Sequence, residues 1–232
     1  MIEINKIHNM DCIEGMKQMD DNSVDAVVTD PPYGINYQSQ WVPKEERFDK
    51  IYGDGDICLS FIKDSFRVLK NSGALYLFTR WDVYPEYANE IKSEGFTIKN
   101  VIIWNRMVHG MGDLKGCYAP CYDMIIFAVK GHGHILKNGR PIDVISVRRV
   151  GADKMVHPTE KPIRLIEKLI DNSTEKNDTI LDPFMGSGTT ALACIYLQRN
   201  FIGFEISPEY CKIAEERLKA VPKRLDKFGG VI

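Results

Sequence analysis

Apolar residues along this chain fall into short runs rich in β-branched side chains, separated by longer stretches with helical periodicity. The short runs predict seven strands, at residues 4–8, 24–29, 74–78, 97–104, 124–129, 179–182 and 201–205. The longer stretches predict six helices, at residues 13–19, 57–70, 84–94, 163–172, 189–198 and 208–220. Two further stretches, 36–55 and 131–156, show neither period, and loops of this length usually carry function.

The alternation of strands and helices is typical of a parallel sheet with helices on both faces. The strands at 97–104 and 124–129 have no crossover helix between them, so we expect them to pair antiparallel at one edge. A chain of 232 residues can bury the core of one such domain. We therefore predict a single α/β domain over residues 1–232, with a doubly wound, mostly parallel, seven-stranded sheet and one antiparallel edge strand.

The cysteine spacing and the hydropathy of the chain indicate in which cellular compartment the protein resides. Of the six cysteines, only Cys117 and Cys121 are close in sequence, and no second pair has the spacing of a zinc site. We expect reduced thiols and no metal. The amino terminus lacks an apolar signal core, and charged residues interrupt every long apolar stretch. These features predict a cytoplasmic protein without a membrane segment.

Charge is distributed unevenly along the chain. The formal net charge is −2, yet residues 105–164 carry ten basic and five acidic side chains. Phosphate binding depends on local lysine and arginine, so this segment is a candidate surface for a polyanion. The candidate contacts are Arg106, Lys115, Lys130, Lys137, Arg140, Arg148, Arg149 and Lys154.

The strand predicted at 24–29 ends in the tetrapeptide Asp30-Pro31-Pro32-Tyr33. This turn is expected at the carboxyl edge of the sheet, where open α/β sheets bind ligands. Its prolines fix φ and remove two backbone donors, so the turn presents carbonyl oxygens and the Asp30 carboxylate, which suit an amino group. Tyr33 offers a ring on which a flat base could stack. Taken alone, the tetrapeptide also fits an ordinary proline turn with a packed tyrosine.

A second motif, Asp182-Pro183-Phe184-Met185-Gly186-Ser187-Gly188-Thr189-Thr190, lies between a predicted strand and a predicted helix. We expect Gly186 and Gly188 to let the backbone approach a ligand without interference from a Cβ atom. Thr189 stands where a phosphate-binding loop has lysine, which argues against a nucleoside triphosphate. Glu205 follows Gly186 by 19 residues, near the spacing at which an acidic side chain meets ribose hydroxyls.

Together these segments resemble the S-adenosylmethionine-dependent DNA methyltransferases that modify amino groups of bases. The motif order matches the permuted β-group, in which Asp-Pro-Pro-Tyr precedes the glycine motif. The similarity extends to Asn9-Met10-Asp11-Cys12, to residues 23–29 and to residues 157–162, His-Pro-Thr-Glu-Lys-Pro. It covers both ends of the chain but not the middle, where the choice of target would reside.

The resemblance implies a cofactor, partners and roles for individual residues. It makes Asp30, Pro31, Pro32 and Tyr33 catalytic. It implies that S-adenosylmethionine binds at Asp11, Cys12, Asp30, Lys161, Asp182, Pro183, Phe184, Gly186, Ser187, Gly188, Thr189 and Glu205. Asp11 and Cys12 would lie at the adenine end of the cofactor and Glu205 at its ribose. Lys161 would lie at the methionine moiety together with residues 186–190, called the glycine loop below. Double-stranded DNA is the implied partner in a restriction–modification setting, 36–55 and 131–156 are the implied target-recognition loops, and relatives often form homodimers.

Several activities remain open at this point. In the family, Asp before Pro-Pro-Tyr goes more often with adenine-N6 than with cytosine-N4, so we expect adenine-N6 methylation with cytosine-N4 as the alternative. A DNA-associated regulatory protein that binds the cofactor without catalysis is a second reading, which the intact motifs oppose. Methylation of RNA or of a protein glutamine is a third, and glutamine-modifying enzymes usually have Asn where this chain has Asp30.

Overall fold

The computed structural model describes residues 2–34, 57–110, 115–151 and 160–221. Its strands are β1 (Lys6–Asn9), β2 (Val24–Thr29), β3 (Leu69–Thr79), β4 (Phe96–Asn105), β5 (Tyr122–Lys130), β6 (Val144–Ser146), β7 (Thr179–Asp182) and β8 (Asn200–Glu205). Its helices are α1 (Cys12–Met16), α2 (Phe61–Val68), α3 (Tyr84–Ser93), α4 (Ile163–Ser173), α5 (Thr189–Leu197) and α6 (Pro208–Lys219). No helix within these ranges is both long and apolar enough to cross a membrane.

The described strands form one sheet in the order β1-β8-β7-β2-β3-β5-β4-β6. The predicted mostly parallel α/β sheet is confirmed, with eight strands rather than seven. The additional strand, β6, has three residues and lies in the stretch 131–156, too short to show a period. The predicted antiparallel pairing of β4 with β5 is present, but β5 lies between β3 and β4 and not at an edge.

Hydrophobic layers cover both faces of the sheet because side chains along each strand alternate in direction. On β3, Tyr76 and Phe78 pack in one layer with residues of α4, α5 and α6. Leu75 and Leu77 pack in the other layer with residues of α1, α2 and α3. This arrangement is the doubly wound one that was predicted.

The first two helices are shorter than the sequence predicted: α1 ends at Met16 and not at residue 19, and α2 begins at Phe61 and not at residue 57. The helix expected to reach residue 70 ends at Val68, and β3 begins at Leu69. Leu69 pairs with Val24, and a register shift follows before Ala74 pairs with Ala26. Because Ser72 has φ 65°, the polar segment before Ala74 belongs to an irregular strand end that apolar periodicity does not reveal.

The order of the strands brings the residues of the predicted site together. β1, β8, β7 and β2 are parallel neighbours, so their carboxyl ends meet at one edge of the sheet. Asp11, Asp30, Asp182 and Glu205 lie at or just beyond those four ends. Four segments that are far apart in sequence therefore converge on one surface.

Candidate active site

A cavity of about 510 Å³ opens at this carboxyl edge. It is lined by every candidate catalytic and cofactor-binding residue except Gly188. Segments adjoining β1, β2, β7 and β8 form one side of it. The ends of β3, β4 and β5 contribute Phe78, Arg80, Trp104, Arg106 and Asp123, and residues around 58–60, 149–150 and 160–166 also line it.

The candidate catalytic turn, residues 30–33, is held by contacts to its side chains and its backbone. The Asp30 carboxylate accepts a hydrogen bond from the Tyr33 hydroxyl on one oxygen and from the Lys161 ammonium on the other. The Tyr87 hydroxyl of α3 donates to the Pro32 carbonyl at 3.1 Å. Burial and the adjacent charge of Asp30 raise the pKa of Tyr33 well above its ordinary value, so the hydroxyl stays protonated and can donate.

Glu205 fixes the glycine loop from the end of β8. One carboxylate oxygen accepts the Gly186 N–H and the other accepts the Ser207 N–H, both at 2.8 Å. Burial raises the pKa of this carboxyl group, while the backbone hydrogen bonds oppose that rise. Each oxygen of a carboxylate has two lone pairs, so Glu205 can still accept hydroxyl groups of a ligand.

Asp182 shapes the turn between β7 and α5 from within. The side chain is 4% exposed, accepting from the Thr190 hydroxyl at 2.6 Å and from the Phe184 N–H at 3.1 Å. Burial raises the pKa of Asp182 to about 6. These two contacts hold the start of α5 against the end of β7.

Gly188 packs closely against α6. Its φ is +84°, a left-handed conformation that favours glycine. A Cβ atom added there would lie 2.9 Å from the Cβ of Ala214 on α6. The absent side chain therefore makes room for α6.

At the other end of the cavity, Asp11 caps α1. One of its carboxylate oxygens accepts from the N–H groups of Ile13 at 2.9 Å and Glu14 at 3.2 Å. Cys12 is buried, and burial raises the pKa of its thiol, which keeps it protonated and unreactive. Phe184 meets Phe61 edge to face, with ring centroids 5.0 Å apart.

The structure adds a residue that sequence reasoning missed. Arg217 of α6 donates to Glu160 at 2.6 Å, to the Ser187 carbonyl at 2.7 Å and to the Ser187 hydroxyl at 2.9 Å. It thereby ties the glycine loop to the segment that carries Lys161. An arginine on an amphipathic helix carries no sequence signal of such a role, because most are solvated.

The predicted basic residues have several different environments. Lys130 is 8% exposed and donates to the Asn22 side chain and to three backbone carbonyls, so its prediction as a polyanion contact was wrong. Lys137 pairs with Glu175 at 3.2 Å, and Arg106 pairs with Asp123 at 3.5 Å. Arg149 lines the cavity. Lys115, Arg140 and Arg148 are exposed, and Lys154 lies outside the described residues.

Three predicted functional segments lie wholly or partly outside the residues that the structure describes. The loop 36–55 lies outside the described residues, as do 152–156 of the second loop and 157–159 of the motif before α4. Cys117 and Cys121 are both exposed. In the parts of the chain that the structure describes, no group of three or more His, Cys, Asp or Glu side chains could hold a metal ion.

Comparisons with known proteins agree with this geometry. The N6/N4 methyltransferase family, described as DNA methylase, matches residues 24–216. The type II methyltransferase M1.MboII of Moraxella bovis is 30% identical, with 90% of this chain and 95% of that protein covered. The DNA adenine methyltransferase YhdJ of Escherichia coli (strain K12) is 28% identical, with 93% and 83% covered.

Among solved structures, the complex of M1.HpyAVI with S-adenosylmethionine (SAM) superposes with a TM-score of 0.69. It is 29% identical, and the match covers 91% of this chain and 98% of that one. The resemblance inferred from the motifs is thus confirmed by sequence and by structure. With four-fifths of its length matched and the motif residues gathered at one cavity, the chain belongs to the N6/N4 DNA methylase family.

Proposed function

We propose that this protein transfers a methyl group from S-adenosylmethionine to the N6 amino group of an adenine extruded from double-stranded DNA. The observation that carries the proposal is a single cavity that joins the Asp30 turn to the glycine loop and Glu205. A base and a cofactor held at these two places would share one enclosed space. Membership of a DNA methylase family and the cofactor in the M1.HpyAVI complex support the same activity.

The residues present fit this cofactor. Ligand pockets commonly measure about 300–1,000 Å³, and the cavity falls within that range. The carboxylates of Glu205 and Asp11 can accept hydrogen bonds from hydroxyl and amino groups of the cofactor. The aromatic face of Phe184 would attract the positively charged sulfur if the two lay within about 6 Å. S-adenosylmethionine, when bound, supplies an electrophilic methyl group on a positively charged sulfur.

The turn at Asp30 then acts on the nucleophile. An exocyclic amino nitrogen is a poor nucleophile because its lone pair is delocalised into the ring. If the Asp30 carboxylate and the Pro31 carbonyl accept its two hydrogens, the nitrogen is drawn toward tetrahedral geometry and its lone pair is directed at the methyl group. After transfer, the nitrogen is acidic enough to release its extra proton to Asp30 or water. This sequence of steps requires no metal and no covalent protein intermediate.

Adenine is favoured over cytosine as the target base. The resemblance associates Asp before Pro-Pro-Tyr with adenine more often than with cytosine, and YhdJ is by name an adenine methyltransferase. Tyr33 supplies the ring on which the extruded base would stack. Cytosine-N4 methylation is the second candidate, because the family includes both activities.

The test is to incubate the protein with labelled cofactor and unmethylated genomic DNA and to identify the modified base by mass spectrometry. We expect N6-methyladenine with the wild-type protein and a loss of at least about a hundredfold with Asp30→Asn. N4-methylcytosine would assign the second candidate. Absence of label from the DNA would contradict DNA as the substrate.

We also propose that residues 36–55 and 131–156 contact the target sequence. Arg148 and Arg149 belong to the second segment, and Arg149 lines the cavity. Pairing of two copies would widen the phosphate-contacting surface that a net charge of −2 leaves small. Light scattering with and without DNA tests whether two copies pair into a homodimer.

A further inference from the structure

Lys161 lies against the catalytic carboxylate. The resemblance implied a place for it at the methionine end of the cofactor, and in the structure its ammonium group donates to Asp30. The two side chains are 12% and 21% exposed, so the pair is largely shielded from water. The ammonium also lies 5.1 Å from the centroid of the Phe78 ring, which adds a favourable cation–aromatic contact.

Hydrogen-bond donors on both oxygens fix the orientation of the Asp30 carboxylate. The Tyr33 hydroxyl occupies one oxygen and Lys161 occupies the other, so rotation of the carboxylate would break at least one contact. Each oxygen retains a second lone pair with which to accept an amino hydrogen. Both donors bind a carboxylate, but only Lys161 adds the attraction of a full positive charge, which makes it the more effective of the two anchors.

Lys161 is itself held from the cofactor side. Its neighbour Glu160 is paired with Arg217, which also donates to the backbone and hydroxyl of Ser187 in the glycine loop. The Glu160 side chain is 6% exposed. A chain of polar contacts therefore runs from the glycine loop through Arg217 and Glu160 to the segment that places Lys161 on Asp30.

We propose that Lys161 is a positioning residue for methyl transfer, which orients the Asp30 carboxylate toward the target amino group and links it to the glycine loop. This inference rests on the proposed function, because it assigns to Asp30 the role of accepting amino hydrogens. It predicts an effect on turnover and not on cofactor affinity. Misplacement of a reacting group by about 1 Å can cost on the order of a hundredfold in rate.

The test compares Lys161→Met and Lys161→Arg with the wild-type protein in the genomic DNA assay. We expect Lys161→Met to lower kcat by about ten- to a hundredfold. The affinity for S-adenosylmethionine, measured by calorimetry, should stay within about twofold, because the proposal gives Lys161 a contact with Asp30 and none with the cofactor. Lys161→Arg keeps the positive charge and should recover part of kcat.

Lys70→Met is the matched control. Lys70 pairs with Asp25 at 2.7 Å, so this variant removes a lysine–aspartate pair from the opposite end of the same strand, β2. We expect its kcat to equal that of the wild-type protein. A comparable fall in both variants would mean that loss of either pair disturbs β2, which would overturn a specific role for Lys161.

A double variant separates orientation from folding. If Lys161 acts through Asp30, adding Lys161→Met to Asp30→Asn should change the residual rate by less than about twofold, because contacting residues are not additive. Additive losses would overturn the proposal. An unchanged or higher kcat in Lys161→Met would do the same, as would weaker cofactor binding with unchanged kcat. A wild-type protein that methylates no DNA would instead contradict the proposed function.

Discussion

The Asp30 carboxylate has three partners, two of them from the protein. Its neighbour Tyr33 donates to it within the same turn, and Lys161 reaches it from the segment before α4. The target amino group is the third partner in the proposed reaction. The short-range contact follows from the tetrapeptide itself, whereas the contact with Lys161 exists only because the chain folds back.

Tyr33 variants should separate the effect of the ring from that of the hydroxyl. Sequence reasoning assigned only stacking to this side chain, but the hydroxyl also anchors Asp30. Tyr33→Phe should therefore lower kcat moderately, and Tyr33→Ala should lose in addition a stacking contribution of about 1–3 kcal/mol. Steady-state kinetics on DNA checks this order. Equal rates for wild type and Tyr33→Phe would remove the anchoring role of the hydroxyl.

Glu205 variants test the ribose end of the cavity. Glu205→Ala should weaken S-adenosylmethionine binding by about 1.5–3 kcal/mol, the range for hydrogen bonds that involve a charged group. It also releases the Gly186 and Ser207 N–H groups that the carboxylate holds. Glu205→Gln keeps an acceptor and should lose less. Calorimetry measures both, and unchanged affinity in Glu205→Ala would contradict this placement.

At the scale of elements, the turn from β7 to α5 depends on a buried carboxyl group. The pKa of Asp182 is about 6 in the fold against an ordinary value of 3.8. The folded state thus binds this proton more tightly than the unfolded chain, so the contribution of Asp182 to stability is greatest below pH 4 and falls as the pH rises to about 6.

Asp182→Asn should remove this pH dependence. The difference in unfolding free energy between wild type and variant should change by up to about 3 kcal/mol between pH 4 and pH 7, in the direction that disfavours the wild type at higher pH. Denaturant unfolding at several pH values measures it. Asp25→Asn replaces a carboxylate near the amino end of β2, away from the cavity, and serves as the control variant. Parallel pH profiles for wild type and Asp182→Asn would show that this carboxyl does not titrate in the window.

The junction of the glycine loop with α6 offers a second test at this scale. Gly188→Ala combines a strained φ with a close contact to Ala214, while Gly139 has φ 75° and nothing within 4 Å of an added Cβ. Gly139→Ala should cost about 1–2 kcal/mol from backbone strain alone. Gly188→Ala should cost more. Ala214→Gly in the same chain should restore part of the difference, and no restoration would exclude the contact as the cause.

At the scale of the whole molecule, DNA binding has to be reconciled with a net charge of −2. Replacing Arg148 and Arg149 by Ala should weaken binding and reduce the slope of log affinity against log salt by up to about two units. Cofactor affinity should not change. Replacing Lys6 and Lys17, both in exposed ion pairs, removes the same charge and should leave the slope unchanged. An unchanged slope in the arginine variant would place both side chains away from phosphate.

Much of the fold could be read from periodicity. The strands β2 and β7 have the predicted bounds, and the helices α3, α4, α5 and α6 differ from prediction by one residue at most. Periodicity does not predict the order of the strands within the sheet, because which strands become hydrogen-bonded neighbours is set by packing across the sheet. The place of β5 between β3 and β4 and the short edge strand β6 are the consequences.

The sequence by itself determined the chemistry of the site, because Asp-Pro-Pro-Tyr and the glycine motif are local and their turns follow from proline and glycine backbone restrictions. Tertiary structure alone decided which side chains complete it. Lys161 joins Asp30 across 131 residues, Arg217 joins Glu160 across 57, and Gly188 makes room for α6. Such contacts depend on how helices pack against the sheet, and no local sequence pattern encodes contacts between residues so far apart in the chain.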